Sequence, residues 1–125
     1  LMRRLHRQNA GLLLITHDMG VVSQMATHIA VMYAGQLVEQ ADAASFFATP
    51  RHPYSIALLE AMPSAATRGR RLKAIPGQVP SAGHFPSGCR FHDRCPVARP
   101  SCAQTPPKLE PCGGHLVRCP YAAPA

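Results

Sequence analysis

Hydrophobic and polar positions divide the chain into a patterned first half and an irregular second half. Leu1, Met2 and Leu5 share one helical face, and Asn9 and Gly11 supply a helix stop. Leu12, Leu13, Leu14 and Ile15 are apolar on both faces. Such a run predicts a short strand buried on both sides, as in a parallel sheet. Asp18 is placed to cap a helix running to about Ala26, with Val21, Val22 and Met25 as its apolar face. His28 to Tyr33 predicts a second strand and Ala34-Gly35 a tight turn. Gln36 to Gln40 then reads as the hairpin partner. Asp42 caps a short helix carrying Phe46 and Phe47, which Thr49-Pro50 ends. Pro53 suits the first turn of another helix, whose stripe is Ile56 and Leu59 with Tyr54 and Met62.

These elements predict an α/β fold: residues 1–62 as the C-terminal edge of a larger sheet domain. A parallel strand needs neighbours reached through crossover helices, and this stretch offers too few. Residues 63–88 carry Pro63, Pro76, Pro80 and Pro86 with Gly69, Gly77, Gly83 and Gly88, and read as a linker. Residues 89–125 form an irregular Cys/Pro-rich extension with one strand candidate, His115 to Arg118. No internal repeat is evident.

The formal net charge of +7 opens a nucleic-acid reading. Arg3, Arg4 and Arg7 form one basic group, Arg68, Arg70, Arg71 and Lys73 a second, and Arg90, Arg94 and Arg99 a third. No aromatic stacking platform accompanies them, so solvated faces, or faces near anionic lipid headgroups, fit better. The longest early apolar run falls far short of the roughly 20 residues that cross a bilayer. No signal-peptide pattern is seen, and the start at Leu1 rather than Met suggests a truncated sequence.

His17 follows the predicted strand and precedes the predicted helix. Ligands of open α/β sheets bind beyond the carboxyl ends of strands, and helix N-termini favour anions. A neutral imidazole there can donate to a phosphate oxygen or to a water. A structural cap or a solvent-facing ring is the alternative.

The five cysteines fall at Cys89, Cys95, Cys102, Cys112 and Cys119. The odd number argues for thiolate ligands in a reducing compartment rather than a disulfide framework. None of the close pairs typical of structural zinc sites is present. Four thiolates also ligate iron–sulfur clusters, and Arg90, Arg94, Arg99 and Arg118 could offset their charge. Small buried apolar thiols are the third possibility.

Leu14-Ile15-Thr16-His17-Asp18, with Met19-Gly20-Val21-Val22, resembles the switch-histidine segment of ABC ATPases. Ala26 to Glu39 resembles the stretch after that segment in the same family. His52-Pro53-Tyr54-Ser55-Ile56-Ala57-Leu58-Leu59 and the cysteine segment resemble the oligopeptide/dipeptide transporter branch. The resemblance implies a C-terminal fragment of an ATP-binding subunit with a P-loop-type ATPase domain, energising import of oligopeptides or dipeptides. It implies ATP and Mg²⁺ as ligands of the intact subunit, with His17 at the γ-phosphate. It also implies a second ATP-binding subunit, transmembrane permease subunits and an extracytoplasmic peptide-binding protein, at the cytoplasmic face of the bacterial inner membrane. No nucleic-acid partner is implied. For the cysteines it implies a [4Fe-4S] cluster on Cys89, Cys95, Cys102 and Cys119, with zinc as the runner-up and Cys112 outside the set.

The phosphate loop G-x-x-x-x-G-K-[ST], the signature motif and the Mg²⁺-binding aspartate do not occur in these 125 residues. The chain alone is therefore expected neither to bind ATP tightly nor to hydrolyse it. The rival readings are a metal- or cluster-stabilised basic nucleic-acid-binding module and a non-functional truncated gene product.

Overall fold

The computed structural model describes residues 11–62 and 74–122. The helix predicted around Leu1 to Leu5, the first two basic groups and the first part of the linker lie outside these residues. Elements follow in the order α1 (Met19–Met25), β1 (His28–Tyr33), β2 (Gln36–Asp42), α2 (Ala43–Ala48) and α3 (Pro53–Glu60). A 3₁₀ turn at His92–Arg94, α4 (Pro100–Gln104), β3 (Glu110–Cys112) and β4 (His115–Val117) complete them.

Local chemistry sets most boundaries. The Asp18 carboxylate accepts from the amides of Gly20 and Val21 at 2.9 and 3.1 Å, which starts α1. Asp42 accepts from Ser45 N at 3.0 Å and starts α2. Pro53 opens α3, where the first-turn amide of Tyr54 donates to His52 Nδ1 at 3.0 Å. Ala34 and Gly35 have φ of 47° and 78°, the left-handed pair that a two-residue hairpin turn requires. Gly113 and Gly114, at 54° and 81°, repeat this geometry between β3 and β4.

The strands form one four-stranded antiparallel sheet in the order β1-β2-β4-β3. Val117 lies opposite both Glu39 and Glu110, so the second half of the chain extends the hairpin of the first. The β1–β2 register slips between Val31 and Met32: Val31 faces Glu39 whereas Met32 faces Leu37. The extra residue, Val38, makes a bulge. Both Val38 and Glu39 are consequently buried, against simple alternation.

The core consists of Ile29, Val31, Tyr33, Val38, Ala41, Phe46 and Phe91. Phe91, 1% exposed, comes from the cysteine-rich half. Its ring centroid lies 5.1 Å from Tyr33 and 5.3 Å from Tyr54. Tyr54, Leu58 and Leu59 carry α3 onto this core. The hairpin and α3 therefore pack within the described residues.

The expectation of a buried strand at Leu12 to Ile15 is corrected. Leu13 and Ile15 are 86% and 89% exposed, and no strand forms there. A strand buried on both faces needs paired neighbours for its amides and carbonyls. Among the described residues no strand lies alongside it. The mixed helix and sheet content remains compatible with α/β, but the sheet formed is antiparallel.

Candidate functional site

Three groups of polar or reactive side chains stand out. The first surrounds His17. This residue is exposed, in a turn fixed by the Asp18 amide donating to Thr16 Oγ1 at 3.0 Å. His17 lines an open cleft with Asp18, Met19 and Gly20 on one side and Leu58, Ala61 and Met62 on the other. The empty space is about 770 Å³, part of it open solvent. Its imidazole is free to meet a ligand from outside, and no described strand buries its approach.

The second group is buried. Glu39 is fully buried and its carboxylate accepts from Arg51 N and His52 N, each at 2.9 Å. His115 Nδ1 lies 2.6 Å from Glu39 Oε1. His115 Nε2 has no hydrogen-bond partner among the described residues. The Arg51 guanidinium donates to the Gly113 carbonyl at 3.4 Å. A carboxylate bonded this way satisfies buried donors from the start of α3 and from β4 at once. Burial pushes the His52 imidazole down to about 4, although the Glu39 charge opposes the shift. His52 is therefore neutral at ordinary pH, which suits its role as acceptor for Tyr54 N. Sequence reading assigns Glu39 and His115 no role; Glu39 stands opposite buried Val31 and in phase with buried Ala41, so the strand itself turns it inward.

The third group gathers the cysteines. Cys89, Cys95, Cys102 and Cys119 line one small cavity with Phe91 and His52, on about 300 Å³ of empty space that includes open solvent. Cys89 N donates to Cys102 O at 2.7 Å. Cys95 ends the 3₁₀ turn, and Cys119 follows β4. Cys112 sits in β3 and does not line the cavity. Burial raises the thiols of Cys89, Cys95 and Cys119, and the neighbouring cysteines add to the effect. The four cysteines that the resemblance groups thus share a cavity.

The metal expectation is corrected. Among the described residues no group of three or more His, Cys, Asp or Glu side chains is placed to hold a metal ion. The [4Fe-4S] cluster, and zinc as its runner-up, are therefore without support in this structure.

The arginines near the cysteines have other partners than thiolate charge. Arg90 donates to the Ala34 carbonyl, and Arg94 to Tyr33 Oη at 3.2 Å and to the carbonyls of Ile75 and Pro76. Arg118 donates to Leu37 O at 2.7 Å and to Pro107 O at 3.1 Å. Arg99 stacks 4.0 Å above the Tyr121 ring. Arg90, Arg94 and Arg118 fasten the cysteine-rich half to the β1–β2 hairpin.

Residues 38–102, just over half of the chain, match the family described as "Oligopeptide/dipeptide transporter, C-terminal region". The chain belongs to this family. It is 44% identical over 116 residues to Dipeptide transport ATP-binding protein DppD of Escherichia coli, covering 92% of the chain and 36% of that protein. It is also 44% identical over 108 residues to DppD of Haemophilus influenzae, covering 86% of the chain and 33% of the relative. The chain thus spans about a third of the length of these curated relatives. The family match begins at Val38 and ends at Cys102. It includes Glu39, the start of α3, and three of the four cavity cysteines. No helix among the described residues is long and apolar enough to cross a membrane.

Proposed function

We propose that the chain forms the C-terminal part of an ATP-binding subunit that energises ABC-type import of dipeptides or oligopeptides. The supporting observation is the family match together with 44% identity to two dipeptide transport ATP-binding proteins. In this reading residues 1–62 complete a P-loop-type ATPase domain, 63–88 form a linker and 89–125 the family's C-terminal extension. Leu12 to Ile15 is an exposed apolar segment that would pack against the remainder of that domain.

His17 then faces the terminal phosphate of ATP. Its ring can donate one hydrogen bond to a γ-phosphate oxygen or hold the attacking water, and its exposure leaves it available for both. Asp18 acts through structure: its carboxylate is taken up by the amides of Gly20 and Val21 and so fixes the turn that presents His17. Mg²⁺ would be held by residues that do not occur in this sequence, and the 125 residues alone are expected to lack ATPase activity. The partners are a second ATP-binding subunit, transmembrane permease subunits and an extracytoplasmic peptide-binding protein. The subunit sits peripherally on the cytoplasmic face of the bacterial inner membrane.

The test is a chimera in which this chain replaces the matching C-terminal third of Escherichia coli DppD. Dipeptide-dependent growth of a strain lacking its own subunit is the expected result. A chimera that is expressed and folded but never restores uptake would overturn the proposal.

A further inference from the structure

His17 presents an exposed ring to an open cleft, yet the main chain on which it stands is tied on its C-terminal side by four hydrogen bonds of Asp18. Three of them run forward into α1. The Asp18 carboxylate accepts from Gly20 N at 2.9 Å and from Val21 N at 3.1 Å, and the Asp18 carbonyl accepts from Val22 N at 3.1 Å. These three are what the helix needs at its start. The fourth runs backward: the Asp18 amide donates to Thr16 Oγ1 at 3.0 Å.

The backward bond adds nothing to the ladder of α1. It closes a ring from the Thr16 side chain through the main chain of His17 to the Asp18 amide, a local hydroxyl-to-amide bond spanning two residues. Both soft backbone dihedrals of His17 lie inside that ring. Together they set the direction in which the His17 Cβ leaves the chain. The forward bonds of Asp18 then fix the same geometry relative to α1. The imidazole keeps only its own side-chain rotations.

We propose that Thr16 is a positioning residue for ATP hydrolysis. By accepting from the Asp18 amide, its hydroxyl oxygen holds the backbone at His17 and thereby the point at which the imidazole meets the γ-phosphate or the attacking water. Thr16 acts through His17. This inference rests on the reading of His17 as the γ-phosphate contact. A donor held in place before the reaction needs no reorganisation during it. Displacing a catalytic group by about 1 Å can cost about 100-fold in rate. Losing one bond of an exposed turn loosens the ring without removing it, so the effect is smaller.

The test uses the Escherichia coli DppD chimera, with turnover and equilibrium ATP binding measured for each variant. Thr16→Val keeps the shape of the side chain and removes the acceptor. Its turnover should fall about fivefold, with ATP binding close to that of the parent chimera. Thr16→Ser keeps the oxygen and should recover most of the turnover. Thr16→Val added to His17→Ala should cost no more than about 1.5-fold beyond His17→Ala alone, because a ring that is absent cannot be misplaced. If Thr16→Val does not fold, Thr16→Ala removes the same acceptor and takes its place. Full turnover in the variant lacking the hydroxyl, or an equal loss with and without the His17 ring, would overturn the role of Thr16 while leaving His17 in place. Full turnover in His17→Ala would overturn the reading of His17 itself, and the role of Thr16 with it.

Discussion

Glu39 is a carboxylate on the inward phase of β2, opposite Val31, and it is fully buried. Its two oxygens serve the amides of Arg51 and His52 and the ring of His115. Removing such an acceptor leaves several buried donors unpaired. Glu39→Ala is expected to cost about 3–5 kcal/mol in urea unfolding. His52 makes the matching argument through pH. Its imidazole is held down at about 4, mainly by burial, against 6.5 in the unfolded chain. Between these values the unfolded chain binds a proton that the folded chain refuses. Stability is thus full above about pH 6.5 and declines as pH falls toward 4, by at most about 3 kcal/mol from this group. His52→Asn keeps a side-chain acceptor for Tyr54 N and removes the titration. Urea unfolding at pH 7 and pH 5 should show a smaller difference in the variant; an unchanged difference would assign the pH dependence to another group.

At the scale of elements, much is legible in the sequence because it is local. Asp18, Asp42 and Pro53 announce α1, α2 and α3 through capping chemistry that needs no distant partner. The β1–β2 hairpin follows from its alternation and the Ala34-Gly35 turn. The family resemblance groups four of the five cysteines, and these share a cavity. The features that escape the sequence depend on tertiary partners. Leu12 to Ile15 has strand composition but no neighbour to pair with among the described residues. The bulge at Val38 arises from the register between β1 and β2, and it leaves Val38 buried next to Glu39. The short β3 and the pairing of β4 with β2 leave no periodic signature in three residues. The roles of Arg90, Arg94 and Arg118 lie in which carbonyls they reach. The contact between the Cys89 turn and α4 is testable at Gly88. A methyl group there meets the main chain of Cys102 and Ala103, which cannot swing aside as a side chain can. Gly88→Ala is expected to cost about 2–3 kcal/mol by thermal or urea unfolding. A neutral effect would mean that the two segments separate easily.

Across the whole molecule, the cysteine-rich half is built into the hairpin fold through the shared sheet, the Phe91 aromatic contacts and the Arg staples. His17 stands apart from this, exposed on the turn before α1. In the proposed reading the cysteine-rich half braces an ATPase edge; the dipeptide transport relative from Escherichia coli is about three times as long as the stretch that the chain matches. The central claim is that His17 serves the γ-phosphate in such a subunit. The most direct measurement is ATP hydrolysis by the DppD chimera with His17→Ala, alongside equilibrium binding of ATP. Turnover is expected to fall at least about tenfold, roughly 1.4 kcal/mol of transition-state stabilisation, while ATP binding stays close to that of the parent chimera. Unchanged turnover in the variant would contradict the account.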